Sequence, residues 1–367
     1  MDRDEVLASL VFNRVSNYTP VQKHCLYDRF GSIREILARR SEAESVYNKP
    51  LKINGEQLDT ERMMKSAEGE LSYCHERGVR IIIRGDASYP EYLSHIDDPP
   101  LVLFGRGKVD LLNERMLFGI VGARKASNSS INRGYSIARD LARNGVIVVS
   151  GLASGIDYYA HKGALDGDGA TIAVLGNGID LVYPKSNRDM YEKIADKGLL
   201  LSEFPVGTEP LKYNFPKRNR IISGLSRGIL VVEASEKSGA LITANYALDQ
   251  GREVMALPGR AGLHSFHGNN RLIKEGAHLV EDAGDVCAIL GIPYTSAMSN
   301  KLVPFSPLEC NILNVIGDDL VSIDDIEKNL QGPISKIAAA LTMLELKGVI
   351  IQYPGKNFSR VEQYGNE

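Results

Sequence analysis

From residue 117 onward, short unbroken apolar runs alternate with helical stretches: 117–121, 146–149, 171–175, 199–202, 229–232 and 253–257. Runs this short, rich in β-branched residues and closed by glycine, serine or a charged loop, predict strands. Because the runs do not alternate with polar residues, both of their faces are expected to be covered. That predicts a parallel sheet with helices on each side, an extended Rossmann-like, doubly wound α/β domain over residues 81–290. Residues 1–80 follow a helical period instead. Val6, Leu7, Leu10 and Val11 make one apolar stripe, and Cys25, Leu26, Phe30, Ile33, Ile36 and Leu37 make another. The turn cluster from Ser16 to Pro20 separates them, and Phe30-Gly31-Ser32 places a C-cap glycine ahead of an N-cap serine. Residues 291–305 read as a linker. Residues 306–364 then predict helices near 306–316, after Ser322 and near 333–347, followed by strands at 349–353 and 358–361, the order of a winged helix.

Composition narrows the classes. The chain has 367 residues, 43% hydrophobic and 24% charged, enough for two or three globular domains. No apolar run approaches the roughly 20 residues of a membrane helix, and the charged start, Met1 to Glu5, has no signal-peptide pattern. A cytoplasmic protein with no membrane contact is expected. Cys25, Cys74, Cys287 and Cys310 are scattered, and His264 and His267, the nearest approach to a pair, lack flanking ligands. A reducing compartment and no structural metal are expected. The net charge of −3 is uneven: residues 1–100 hold 14 Lys+Arg against 17 Asp+Glu, residues 101–290 hold 23 against 20, and residues 291–367 hold 6 against 9. Only the middle is net positive, so a polyanion is to be sought there.

Ligands of open parallel sheets sit beyond the carboxyl ends of the strands, where helix N-termini offer free N–H groups. Each informative cluster falls at such a place: Gly122 to Ser127 with Arg124 and Lys125, Ser150 to Asp157 with Gly151, Ser154 and Gly155, Gly176-Asn177-Gly178, and Glu233 with Ser238-Gly239 through Thr243. Four glycine-rich loops on one edge predict an anion-binding shelf. The segment 212–220 interleaves Lys212, Lys217, Arg218 and Arg220 with Tyr213, Phe215, Asn214 and Asn219, a pattern that holds phosphates with cations and stacks bases on aromatics. No GxGxxG or GxxxxGK[ST] is present, and no Ser/His/Asp or Cys/His set stands out. Asp157 and Glu233 lie at the ligand edge, which keeps a hydrolase open as the competing class, with a nucleotide-sensing scaffold as a third.

Taken in order from about Ile83 to Leu290, these blocks resemble the DNA-processing protein A family, also called Smf. The blocks are Gly122-Ala123-Arg124, Ser150 through Asp157, Ala173 to Gly176, Leu201-Ser202-Glu203, Asn214-Phe215-Pro216, Arg218 to Ile222, Ser238 to Thr243 and Asn270 to Ile273. The resemblance implies an extended Rossmann domain that binds single-stranded DNA without a cofactor, protects incoming DNA in natural transformation, loads the RecA recombinase and forms homodimers. By position it implies phosphate contacts from Arg124, Lys212 and Arg218 or Arg220. It also implies base stacking on Phe215 and a pocket lined by the backbones of Gly151, Ser238 and Gly239. Ala123 stands where the family usually has serine. The turn from Ser16 to Pro20 lacks the glycines of a phosphate-binding hairpin, so a structural or partner-binding role is expected for the N-terminal segment. The winged unit, offering mainly Ser335 and Lys336 on its third helix, is expected to dock protein or to regulate rather than to grip phosphate. Phosphoribohydrolases of related fold carry a PGGxGTxxE loop, which Pro258-Gly259-Arg260 does not match.

Overall fold

The computed structural model describes residues 2–295, 305–316, 320–330, 332–347 and 349–360, and its chain divides into two compact units, Met1–Thr295 and Ser296–Glu367. The first opens with four helices, α1 (Arg3–Asn13), α2 (Pro20–Phe30), α3 (Ile33–Ala38) and α4 (Arg40–Val46). A two-residue ladder, β1 (Lys52–Ile53) with β2 (Glu56–Gln57), leads to the long α5 (Thr60–Glu76). Local chemistry sets these ends. Thr19 and Gln22 form a reciprocal capping box around Pro20, Gly31 closes α2 in the left-handed conformation, and the Ser32 side chain caps α3.

The sheet then begins with β3 (Val79–Ile83), a short helix α6 (Glu91–Ser94) and β4 (Val102–Gly107). The alternating part follows: β5 (Leu117–Val121), α7 (Asn128–Arg143), β6 (Ile147–Ser150), α8 (Ile156–Asp166), β7 (Thr171–Leu175), α9 (Arg188–Lys197), β8 (Leu199–Ser202), α10 (Asn214–Leu225), β9 (Gly228–Val231), α11 (Gly239–Asp249) and β10 (Glu253–Ala256). It closes with α12 (His267–Lys274), β11 (His278–Leu279) and α13 (Ala283–Leu290). The nine strands lie in the order β11-β10-β9-β5-β6-β7-β8-β4-β3. The six strands predicted between residues 117 and 257 are all present and pair in parallel, with bounds shifted by at most one residue. The sheet as a whole is mixed, because β4 joins β8 antiparallel and β3 joins β4 antiparallel. Neither was read from the sequence.

Alternate residues feed opposite faces. Leu117 and Val121 of β5 pack with α10 and α11 residues such as Ile222 and Ala244, while Phe118 and Ile120 pack with Ile137, Leu141 and Val286 of α7 and α13. The N-terminal helices do not keep a core to themselves. Val6, Leu10, Leu26 and Ile36 share one cluster with Ile81, Ile83, Phe104, Leu175 and Leu200 of the sheet. From β5 the chain winds outward through β8, then returns to lay β9 against the other side of β5. The β5/β9 junction is therefore the topological switch point, where a crevice opens beyond the strand ends. No helix among the described residues is long and apolar enough to cross a membrane.

The second unit holds α14 (Pro307–Ile316), β12 (Val321–Ser322), α15 (Ile323–Leu330), α16 (Ile334–Leu346), β13 (Ile350–Tyr353) and β14 (Asn357–Arg360). Its sheet order is β12-β14-β13, and Ser322 accepts from the Asp325 amide to cap α15. Three helices and this small sheet make the winged helix expected from the sequence. Of the predicted linker, residues 296–304 lie outside the described residues, as do residues 361–364 of the predicted final segment.

Candidate nucleic-acid interface

The β5–α7 loop is fixed by one buried carboxylate. Glu233 accepts from the Ser127 amide at 2.9 Å and from its hydroxyl at 2.7 Å, while its own carbonyl accepts from the Ala123 amide at 2.8 Å. Ser127 in turn caps α7. Arg124 and Lys125 are thereby left exposed on a loop that cannot collapse. Glu233 is a structural acceptor here, which speaks against its service as a general base.

The neighbouring β6–α8 loop passes under this one. Gly155 sits at φ 81°, ψ −132°, and a Cβ there would lie 2.4 Å from the Ala123 carbonyl oxygen and 2.6 Å from that of Arg124. Only glycine satisfies both the dihedral and the approach. Asp157, in the first turn of α8, accepts from the amides of Gly151, at 3.2 Å, and Ala153. Burial raises its carboxyl above the ordinary range, opposed by Arg218. The Gly151 amide, expected to face a phosphate, is therefore already spent on Asp157, and its carbonyl accepts from Arg218.

Helix α10 sorts the basic segment by rotation. Its i, i+3, i+4, i+7 face, Phe215, Arg218, Asn219 and Ile222, lines a cavity of about 270 Å³ together with Val121, Gly122, Arg124, Asp157, Lys212, Ser238, Gly239, Ile242 and Thr243. Phe215 lies against Gly176, where a Cβ would come within 2.6 Å of the ring. The Arg124 guanidinium stands 5.5 Å from the same ring centroid, and Tyr183 lies 5.4 Å away at an interplanar angle of 38°. Arg218 is buried at the floor, donating to the carbonyls of Gly151 (2.9 Å) and Val174. Burial lowers its pKa to about 10, so it stays cationic at neutral pH.

Arg220 turns the other way. It is buried, donating to both oxygens of Glu203 and, at 3.0 Å, to Asp98. The phosphate contact expected of it is corrected accordingly: its charge is already matched inside the protein. Lys217 is half exposed, 3.5 Å from Glu203, and Asn214 is buried with its amide on the Glu209 carbonyl. On α11, Ser238 caps the helix, Gly239 faces open space and Thr243 is buried against the cavity. The structure thus brings together Gly122, Arg124, Lys212, Phe215, Arg218, Ser238, Gly239 and Thr243, and leaves Lys125, Gly151, Ser154, Gly155, Asn214, Lys217 and Arg220 outside the lining. Asn219 and Ile242, marked in the sequence only as members of segment 212–220 and of the block Ser238 to Thr243, also line it, and Tyr183 joins through its contact with Phe215. The first two follow from helical spacing once α10 and α11 are placed, whereas no local pattern marks Tyr183.

Chemically, the cavity offers two exposed cations, a buried third, an aromatic ring and a helix N-terminus, a set suited to an anion carrying a planar group. Among the described residues no group of three His, Cys, Asp or Glu side chains could hold a metal ion.

The family model of DNA recombination-mediator protein A matches residues 80–291, and that of the DprA winged helix domain matches residues 299–356. Protein Smf of Escherichia coli K12 is 38% identical over 304 residues, covering 79% of this chain and 80% of that protein. The X-ray structure of DNA processing protein A from Streptococcus pneumoniae aligns with a TM-score of 0.61 at 33% identity, over 77% of this chain and 97% of that one. That of DNA processing protein A from Helicobacter pylori, described for its single-stranded DNA binding mode, aligns with a TM-score of 0.54 at 29% identity, over 59% and 97%. With more than half its length matched in the order of its glycine-rich loops, this chain belongs to the DNA recombination-mediator protein A family.

Proposed function

We propose that this chain binds single-stranded DNA in the crevice at the β5/β9 switch point, as a recombination mediator without chemistry of its own. The observation that carries this reading is that exposed Arg124 and Lys212 line one cavity together with Phe215, the Arg124 guanidinium 5.5 Å from its ring centroid. Phosphates meet exposed cations there while a base meets an aromatic face, an arrangement that tolerates any sequence. The Helicobacter pylori relative supports it, since its structure is described as one of single-stranded DNA binding. On this reading the protein works in the cytoplasm, as a homodimer, protecting incoming DNA during transformation and loading RecA onto it. The winged unit serves a partner or regulates.

The test is a gel-shift with single- and double-stranded oligonucleotides of one sequence, with nucleoside monophosphates as competitors. Preference for the single strand, undisturbed by millimolar mononucleotide, is the expected result. Equal duplex binding would overturn it. Displacement by micromolar mononucleotide, or release of free base, would replace it with a nucleotide sensor or a phosphoribohydrolase.

A further inference from the structure

Beyond the cavity, the β7–α9 loop carries one large aromatic that the core does not use. Tyr183 is 40% exposed, and among the described residues its hydroxyl makes no hydrogen bond. Among those residues its one ring contact is with Phe215, 5.4 Å between centroids.

The exposure does not come from a loose loop. Asn177 donates its side-chain amide to the carbonyls of Gly178, at 2.9 Å, and Leu181, at 2.7 Å. The Gly178 amide donates to the Thr208 carbonyl at 2.8 Å, and buried Asn187 donates to the Leu152 carbonyl at 3.0 Å. Tyr191 also donates its hydroxyl to Ile179. The loop is tied at both ends to its neighbours, so Tyr183 is held in place without being buried. An aromatic ordered in advance and left open can take a planar group at little entropic cost. Two cations follow it, Lys185 and Arg188, both exposed and, among the described residues, without a carboxylate within 4 Å.

We propose that Tyr183 is a second stacking platform of the groove: a strand whose base rests on Phe215 passes its next base to Tyr183 and its phosphates to Lys185 and Arg188. This rests on the single-strand reading above. Because the two rings are inclined at 38° rather than stacked in parallel, neighbouring bases must splay apart to occupy both. A duplex cannot do this without losing its pairing.

The test uses the full chain, fluorescence anisotropy with an oligo(dT) length series, and Tyr183→Ala, Tyr183→Phe and Phe215→Ala. Tyr183→Ala is expected to weaken long oligonucleotides by about tenfold while leaving the salt dependence unchanged, and Tyr183→Phe to stay within about twofold of the parent. In parallel, the unaltered protein is irradiated with a 5-iodouracil-substituted strand and its peptides are mapped, with cross-links expected at Tyr183. If Phe215→Ala weakens binding and Tyr183→Ala does not, the second platform is wrong and the groove survives. If neither does, the single-strand reading itself fails. Should Tyr183→Ala fail to fold, absence of any cross-link between residues 177 and 188 overturns the proposal.

Discussion

Arg220 meets Glu203 through two parallel hydrogen bonds, each 2.7 Å, with both side chains nearly closed to solvent. Such a fork ties α10 to the end of β8 and so sets the register of the helix that carries Phe215. Losing Arg220 would leave Glu203 buried with only the half-exposed Lys217, 3.5 Å away, as its counter-ion, at a cost of at most about 3–5 kcal/mol. Arg220→Ala is therefore expected to lower the urea midpoint sharply, while the folded fraction keeps the parent's salt dependence of DNA binding. Unchanged stability would show that the fork carries no weight.

Arg124 and Lys212 should behave differently from Phe215. Each cation that holds one phosphate contributes about −0.7 to the slope of log K against log salt for a single strand. Arg124→Ala and Lys212→Ala are expected to flatten that slope by about this much each, across all sequences. Phe215→Ala should cost ~1–3 kcal/mol with the slope preserved. Titrations at several salt concentrations separate the two outcomes.

Gly155 admits no side chain. Because its Cβ would strike two carbonyl oxygens of the Arg124 loop, Gly155→Ala must push that loop outward. We expect a stability loss of about 1–3 kcal/mol and a fall in affinity at least as large as that of Arg124→Ala. Wild-type affinity in this variant would mean that the loop's position does not matter.

Acid should loosen the fold through His161. This imidazole is fully buried in α8, bonded at Nδ1 to the Thr171 hydroxyl, and burial lowers its pKa from 6.5 to about 3. Between those values the unfolded chain takes up a proton that the folded chain refuses. Its stabilising share is thus complete above pH 6.5 and declines toward pH 3, by up to ~1.4 kcal/mol per pH unit. His161→Gln is expected to flatten the fall of the urea midpoint between pH 6.5 and pH 4. An equally steep fall would place the acid sensitivity elsewhere.

The winged unit should be dispensable for gripping DNA. Residues 291–367 hold nine acids and six bases, and Lys336 is the lone cation among the exposed positions of α16. Removing residues 301–367 is expected to leave single-strand affinity within about twofold, since so few phosphate contacts are on offer. A tenfold loss on deletion would assign this unit a direct hold on the strand.

Much of this was legible in the chain because buried parallel strands read as continuous apolar runs, and the six so marked fall where expected. Gly31 and Ser32 likewise announced a helix end and a helix start through their conformational needs. β3 and β4 do not read as strands in the sequence, since Val79-Arg80-Ile81 and Phe104-Gly105-Arg106 carry charges and the two pair antiparallel at the sheet's edge. The basic segment is marked by its composition, but composition does not show which of its cations face inward. A linear reading treats Arg218 and Arg220 alike. A helix turns roughly 100° per residue, so two positions apart they face different ways, one to the cavity floor and the other to Glu203. Glu203 and Asp98 are distant in sequence, and no spacing reveals them.

The loops around the crevice are stitched to one another: Glu233 to Ser127, Asn187 to Leu152, Gly178 to Thr208. A ledge built this way does not yield, so the polymer laid along it has to do the bending. Homopolymers that coil easily, such as thymine runs, should then be held longer than stiff, self-stacked adenine runs, a composition bias arising with no base edge ever being read.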